Sequence, residues 1–270
     1  KHGDVGADLR LMFIPDPGKI LVEVDGGQAE DRVVCNLAHD HEGMAILNRT
    51  EFKRNKYGMK DDRHTLTTME VLSITFDAVT DDLRQIGKKT RHAGNYKMGK
   101  KRLSQMVVAE SEGRIKLSEW KAGKCLEKFH SDNTRIASIF WEEVIQALQD
   151  SGNILYSPHG RRRMFFDKWG EDLFKEAFAY IPQATVSDHT KFAAIRVEER
   201  APWIEMVGES HDSFLALIPE DRLDECIVIC KEEYEVPIDF SRCSLPRDPI
   251  IIPCEIQVGY HNWKEMKRVA

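Results

Sequence analysis

Apolar and polar positions along the chain predict a few short strands separated by long amphipathic stretches. The apolar run Ile20–Val24 predicts a buried strand that ends at Asp25-Gly26-Gly27. A second apolar stretch, 203–219, is broken by His211-Asp212-Ser213, and this predicts a hairpin with those residues at its tip. Two aspartates at strand ends are typical of sites that transfer phosphoryl or nucleotidyl groups with two metal ions.

Amphipathic periodicity predicts that most of the remaining chain is helical. The predicted helices cover 28–39, 64–73, a helix capped by Thr80, 103–109, 117–129, 133–149, 171–196 with an interruption at Pro182, and 220–234. A hairpin at 154–166, a strand at 250–258 and an extended segment over 1–20 complete the prediction. Apolar strands on both sides of a helical insert indicate an α+β fold.

The helix that begins after Thr80 carries four chemically distinctive residues at four-residue intervals. Arg84, Lys88, His92 and Tyr96 form one gently twisting stripe, because residues four apart lie on the same side of a helix. Two cations, an imidazole and a phenol can hold a triphosphate at one end and a base at the other. The alternative is a solvated basic face with a tyrosine in the core.

Charge is distributed unevenly along the chain. The formal net charge is −6 over 270 residues, yet the segment from Arg84 to Arg102 contains eight Lys or Arg and no acid. Binding to nucleic acid depends on local positive charge, so the overall negative sign does not exclude it.

The remaining composition predicts a globular protein of one large or two small domains. No apolar run reaches the roughly 20 residues of a membrane span, and the six cysteines are predicted to be reduced thiols. The N-terminus does not resemble a signal peptide, and the missing initial Met suggests an incomplete or processed start. A cytoplasmic location, in a bacterial or phage-infected cell, is the expectation.

The segment from Asp25 to Arg32, with the sequence Asp-Gly-Gly-Gln-Ala-Glu-Asp-Arg, resembles the first motif of family A DNA polymerases, Asp-x-Ser-Gln-x-Glu-x-Arg. The resemblance implies that Asp25 and the Gly26 carbonyl bind metal, and that Glu30 excludes a ribose 2′-hydroxyl. It places Gln28 near the nucleotide and Arg32 near DNA. Gly27 stands where the family usually has Ser.

The stripe after Thr80 is similar to the family's fingers helix, Arg-x3-Lys-x3-Phe/Tyr-Gly-x2-Tyr-Gly. By this match Arg84 and Lys88 bind the triphosphate, Lys88 protonates the leaving pyrophosphate, and Tyr96 stacks at the templating base. His92 replaces an aromatic residue that lies near the nucleotide. His64, in Asp-Arg-His-Thr, is similar to the family's Asp-x-His and would contact the phosphates.

His211-Asp212-Ser213 resembles the family's third motif, usually His-Asp-Glu. Asp212 would be the second metal carboxylate, and His211 would lie near the primer terminus. Arg161, in Gly-Arg-Arg-Arg, and Gln183, in Pro-Gln-Ala-Thr, resemble two further segments that contact DNA.

The resemblance covers nearly the whole chain in the family's order and suits bacterial DNA polymerase I or a bacteriophage relative. It implies a palm over 1–40, helical fingers over 41–150 and a second palm segment over 151–270, with the thumb and exonuclease domains absent. The implied activity is template-directed DNA synthesis with two Mg²⁺ ions, primer-template DNA and dNTPs. An N-terminal portion or partner chain would supply the rest, and no membrane is involved.

Two alternatives stay open. Single-subunit RNA polymerases have a similar palm and a third motif that also reads His-Asp-Ser-Phe, although a bulky acid such as Glu30 disfavours ribonucleotides. A non-catalytic DNA-binding fragment that needs a partner chain is the second alternative.

Overall fold

The structure, a computed structural model, describes residues 9–269, and these form two compact units. We call them the sheet unit, which comprises 9–30, 183–241 and 248–269, and the helical unit, which comprises 31–182 and 242–247. The predicted extended segment over 1–20 lies partly outside the described residues. The predicted palm and fingers boundaries stay a prediction.

Seven strands and nine α-helices make up the described chain. The strands are β1 Lys19–Gly26, β2 Ile154–Tyr156, β3 Arg162–Met164, β4 Glu205–Ser210, β5 Ser213–Pro219, β6 Cys254–Gly259 and β7 Lys267–Arg268. The helices are α1 Ala29–Leu37, α2 His41–Leu47, α3 Arg63–Leu72, α4 Asp81–Asn95, α5 Lys100–Glu110, α6 Glu119–Asp132, α7 Glu142–Ser151, α8 Glu171–Arg200 and α9 Leu223–Tyr234. Short 3₁₀ turns lie at Phe76–Ala78, Glu220–Arg222 and Trp263–Glu265, and a π-helical segment lies at Ile136–Trp141.

The sheet unit is built on one antiparallel sheet with the strand order β4-β5-β1-β6-β7. Its central strand β1 is buried along Ile20–Val24, as the apolar run predicts. Helix α9 packs against β5 and β6. The predicted α+β class and the predicted β4–β5 hairpin are therefore confirmed.

Three helix and strand predictions differ from the structure. Helix α8 continues through Pro182, where an interruption was predicted, and neighbouring Phe178, Ile181 and Thr185 are all buried. The predicted helix over 133–149 contains the π-helical segment before α7 begins. Strand β6 begins only at Cys254, because Pro253 has no N–H to donate to a sheet ladder.

The helical unit contains a buried network of charged side chains. Arg91 in α4 is only 2% exposed, and its Nη1 donates to Asp31 Oδ1 in α1 at 3.1 Å. Its Nε donates to Thr67 Oγ1 in α3 at 3.0 Å. Asn95 also donates to Asp31, and the Arg63 guanidinium lies beside that carboxylate. The network therefore ties α4 to α1 and α3.

The network removes one cation of the basic segment between Arg84 and Arg102 from contact with solvent, because Arg91 is buried. Burial by itself raises the pKa of Asp31, but the neighbouring Arg91 and Arg63 bring that pKa below its ordinary value. Arg91 is thus a structural cation in the core of the helical unit. Within the described residues, no helix combines the length and apolar character that crossing a bilayer requires.

We predict that Arg91→Met destabilises the chain by about 3–5 kcal/mol, because it leaves the Asp31 carboxylate buried with fewer partners. Lys89→Met is the matched control: Lys89 lies two positions away and pairs with Glu110, whose side chain is half exposed. That change is expected to cost at most about 1 kcal/mol. Urea unfolding of both variants measures the difference, and equal losses would contradict a buried role for Arg91.

Candidate active site

The two aspartates of the predicted metal site lie together in the sheet unit. Asp25 is the penultimate residue of β1 and lies opposite Ser213 of β5, while Asp212 occupies the β4–β5 turn. The backbone N–H of Gly26 donates to the Asp212 carbonyl oxygen at 3.0 Å. Antiparallel pairing of β1 with β5 therefore brings together two acids that are distant in sequence.

The electrostatics of this pair favour a cation. Burial, together with the negative charges of Asp212, Glu23 and Glu255, raises the pKa of Asp25 to about 7. The protein alone therefore disfavours full negative charge at this end of the sheet. A bound cation would offset that cost.

Tyr234, the last residue of α9, stabilises the β4–β5 turn that carries Asp212. Its buried hydroxyl donates to the Asp212 carbonyl oxygen at 3.0 Å and lies 3.2 Å from Thr190 Oγ1. His189 Nε2 lies 2.7 Å from the Tyr234 carbonyl oxygen, a hydrogen bond that fixes the end of α9. The tyrosine is isolated in sequence from both motifs, so sequence reasoning missed it.

The hydroxyl of Tyr234 also explains the glycine at position 26. A Cβ added there would collide with that oxygen and would lie 3.2 Å from the Ala29 Cβ. Gly27 is similarly constrained: its N–H donates to the Pro253 carbonyl oxygen at 2.8 Å, and a Cβ would lie 3.1 Å from that oxygen. Gly26 therefore makes room for the Tyr234 side chain, and Gly27 makes room for the backbone of Pro253.

Two further carboxylates lie near Asp25, and sequence analysis did not assign them. Glu23 shares the face of β1 with Asp25, because strand residues two apart point the same way. It is 8% exposed and accepts hydrogen bonds from Ser213 Oγ at 3.3 Å and Trp263 Nε1 at 3.1 Å. Glu255 lies opposite Asp25 on β6 and pairs with Arg268 at 2.6 Å. The period-two pattern of β1 was the available signal for Glu23.

The other predicted site residues of the sheet unit differ in how far they are buried. Gln28 has a left-handed backbone (φ 52°), and its Oε1 is buried with no hydrogen-bond partner among residues 9–269. Glu30 is half-buried at the start of α1, and His211 is exposed beside Asp212. Gln183 is exposed on α8.

In the helical unit, α4 carries the predicted phosphate-binding stripe, and the predicted Thr80 cap is confirmed. Arg84 Nε donates to Asp62 Oδ1 at 3.3 Å, and its Nη2 pairs with the second carboxylate oxygen. Lys88 is exposed one turn further along. His92 and the buried Tyr96 pack edge to face, with ring centroids 5.2 Å apart.

His64 lies near the same cations, at the start of α3. Burial lowers the pKa of His64 to about 4, with the positive charges of Arg84 and Lys88 acting in the same direction. Its ring is therefore neutral at pH 7. Asp62 caps α3 by accepting from Thr65 N at 3.0 Å, so one carboxylate both caps this helix and holds Arg84.

The two predicted DNA-binding arginines of the helical unit differ in exposure. Arg32 is 4% exposed, and its guanidinium donates to Asn48 Oδ1 at 2.6 Å and to the Leu47 carbonyl oxygen. These bonds tie α1 to the end of α2, a position that does not favour contact with DNA. Arg161 is exposed between β2 and β3.

The sequence model of the family described as DNA polymerase family A matches residues 2–265. The chain belongs to DNA polymerase family A. It is 24% identical over 273 residues to thermostable DNA polymerase I of Thermus thermophilus, covering 97% of this chain and 29% of that protein. It is 24% identical over 221 residues to mouse DNA polymerase theta, covering 79% of this chain and 8% of that protein.

The family A fold is also found by comparison with solved structures. The polymerase domain of Pol1 from M. smegmatis, solved in complex with DNA primer-template and dNTP, matches with a TM-score of 0.72 at 18% identity. The match covers 98% of this chain and 43% of that one. The polymerase-type fold prediction is confirmed, and the chain spans about 29% of the length of the polymerase I relative. The bacteriophage type stays a prediction.

We predict that Gly26 and Tyr234 are energetically coupled. Gly26→Ala should cost about 1–3 kcal/mol through overpacking, and Tyr234→Phe about 1 kcal/mol through the lost hydrogen bond. The double variant should cost about 1 kcal/mol less than the sum, because removing the hydroxyl makes room for the added Cβ. Urea unfolding measures the cycle, with exposed Tyr260→Phe as control. Additive losses would contradict the contact.

The raised pKa of Asp25 predicts a pH-dependent stability. The folded chain holds this proton to a higher pH than the unfolded chain, whose Asp has its ordinary pKa near 3.8, so stability falls as pH rises from about 4 to about 7. Asp25→Asn should therefore raise Tm at pH 8 and not at pH 4, with a chelator present. Exposed Asp221→Asn is the control, and an equal gain at both pH values would refute the assignment.

Proposed function

We propose that this chain is the catalytic palm-and-fingers portion of a DNA-directed DNA polymerase. It would extend a primer 3′-hydroxyl by nucleotidyl transfer from a dNTP, directed by a template. The observation that carries the proposal is the convergence of Asp25 and Asp212 at the end of a buried central strand, in a chain that belongs to family A.

The donor set suits Mg²⁺, which is usually held by one or two carboxylates together with substrate phosphates and water. Asp25, Asp212 and the Gly26 carbonyl would hold two ions. The raised pKa of Asp25 supports this, because a bound cation would stabilise the ionised carboxylate that burial and the neighbouring acids disfavour. When bound, such ions activate the attacking hydroxyl and neutralise the leaving pyrophosphate. Within residues 9–269 no group of three or more His, Cys, Asp or Glu is placed so that it could hold a metal ion by itself. We therefore propose an open site, in which substrate phosphates and water complete the coordination that Asp25 and Asp212 begin.

The helical unit would bind the triphosphate. Lys88 is exposed and can reach a phosphate directly, and we assign it as the proton donor to pyrophosphate. Arg84 would bind phosphate by sharing or exchanging its ion pair with Asp62. The neutral ring of His64 can donate one hydrogen bond without adding charge.

The remaining residues would select and position the substrates. Glu30 would disfavour a ribose 2′-hydroxyl, and Gln28 would lie near the nucleotide, with His92 and Tyr96 at the sugar and templating base. Exposed His211, Gln183 and Arg161 would contact primer-template DNA. Because the chain covers about 29% of the Thermus thermophilus polymerase I, we propose that an N-terminal portion or a partner chain supplies further grip on the duplex. The proposed setting is the cytoplasm of a bacterial or phage-infected cell.

The RNA polymerase alternative rests on Ser213-Phe214 after the catalytic aspartate. Ser213 donates to the buried Glu23, so this position has a structural partner within the sheet unit. The family A match and Glu30 both favour deoxynucleotides.

Primer extension on a primed DNA template with Mg²⁺ tests the proposal at high enzyme concentration. We expect dNTPs to be added in preference to rNTPs. Asp25→Ala and Asp212→Ala should each reduce the rate by roughly a thousandfold or more, because losing a metal ligand removes several kcal/mol of transition-state stabilisation. Asp221→Ala, which changes an exposed acid of the same unit, is the matched control and should keep normal extension.

Each other outcome has a defined meaning. Equal use of rNTPs would favour the RNA polymerase alternative. DNA binding without metal-dependent addition would identify a non-catalytic fragment or one that requires the proposed N-terminal portion or partner chain. Normal extension by Asp212→Ala would refute the site itself.

A further inference from the structure

The β2–β3 hairpin and the turn after it expose large rings to solvent. Phe166 is 88% exposed and Trp169 is 48% exposed, whereas the adjacent Phe165 is 4% exposed. The backbone therefore directs one phenylalanine into the core and the next one outward. Neighbouring exposed apolar side chains of this kind are typical of binding surfaces.

The exposed rings stand on an ordered base within the helical unit. Phe165 packs edge to face on Tyr180 with ring centroids 5.9 Å apart, and its backbone N–H donates to the Asn153 carbonyl oxygen at 2.9 Å. Trp169 packs edge to face on Phe174 at 5.0 Å. These contacts hold Trp169 at one edge, and they fix the backbone from which Phe166 projects.

Two cations alternate with these rings along the chain. Arg162 on β3 and Lys168 in the turn are exposed, and neither forms an ion pair with another residue in the described chain. Arg163, between them, pairs with Glu176 and lies over the Phe165 ring at 4.8 Å. We call Arg162, Phe166, Lys168 and Trp169 the hairpin surface.

Acids near the hairpin surface limit its positive character. Asp167 lies between Phe166 and Lys168 in the sequence, and Glu171 and Asp172 follow in the first turn of α8. Glu171 is paired with Lys97 at 2.7 Å and Asp172 lies near Lys175. The hairpin surface is therefore weakly basic and strongly aromatic. Most of its binding energy would come from contacts of the Phe166 and Trp169 rings.

This chemistry selects among ligands. Exposed rings beside cations suit unpaired bases on a phosphate backbone, because bases stack on aromatic side chains while the cations contact phosphates. A duplex offers phosphates but keeps its base faces stacked on each other. We propose that the hairpin surface binds single-stranded nucleic acid and, resting on the polymerase function proposed above, that its ligand is the unpaired template strand.

The test measures binding of a labelled dT oligonucleotide to the whole chain by fluorescence anisotropy, without metal or dNTP. Phe166→Ala and Trp169→Ala should each weaken binding by about fivefold to a hundredfold, the range for losing one base–aromatic stack. Arg162→Gln should also lower the slope of log affinity against log salt by about 0.7. Trp120→Ala and Lys116→Gln, at exposed positions on and just before α6, are the matched controls.

Trp169→Phe provides a second readout. It should keep most of the affinity, because a ring remains, and lose any quenching of intrinsic fluorescence that the oligonucleotide causes through stacking. Circular dichroism confirms that the variants fold, and their exposed positions predict little change in stability.

Two results would overturn the proposal. The first is affinity in Phe166→Ala and Trp169→Ala equal to that of Trp120→Ala. The second is an equal loss of binding to a blunt duplex and to the single strand, which would show that unpaired bases are not what the surface recognises. Because no catalysis is involved, failure of primer extension would not affect either result.

Discussion

The structure of the site depends on two carboxylates being held together against their own repulsion. Asp25 and Asp212 meet because the Asp212 carbonyl accepts from both the Gly26 N–H and the Tyr234 hydroxyl, each at 3.0 Å. These bonds come from the backbone N–H of Gly26 and the buried phenol of Tyr234, and both reach the carbonyl oxygen of Asp212 rather than its carboxylate. Burial of Asp25, followed by the negative charge of Asp212, raises the pKa of Asp25 to about 7.

That arrangement makes several residue choices interdependent. The Tyr234 hydroxyl occupies the space that a Cβ at position 26 would need, so the tyrosine in this position requires a glycine at 26. Ser213, at the position where the resemblance to the family's third motif implies an acid, donates to Glu23, which lies two residues before Asp25 on β1. An acid at 213 would face Glu23 without a proton to share. Gly26 and Ser213 thus each fit a neighbouring side chain, Tyr234 for Gly26 and Glu23 for Ser213.

Sequence patterns predicted the parts of this site that local rules determine. The apolar run of β1, the turn at Asp212 and the Thr80 cap each depend on a few adjacent residues, and all three are confirmed. Arg91 was missed because its burial depends on Asp31, sixty positions away. Tyr234 was missed for the same reason, since only the packing of α9 against the sheet gives its hydroxyl a role.

The helical unit shows why a count of cations does not describe a binding surface. Arg91 is buried in an ion pair with Asp31. Arg84 pairs with Asp62, which also caps α3. Of the two proposed phosphate ligands, Lys88 is the exposed one, and it forms no ion pair within residues 9–269. An incoming triphosphate would therefore meet Lys88 first, and its gain from Arg84 would be reduced by the ion pair that it has to share or break. Under the proposed function, the ion pair with Asp62 would weaken the attraction of the stripe for phosphate, although the stripe itself contains no acid.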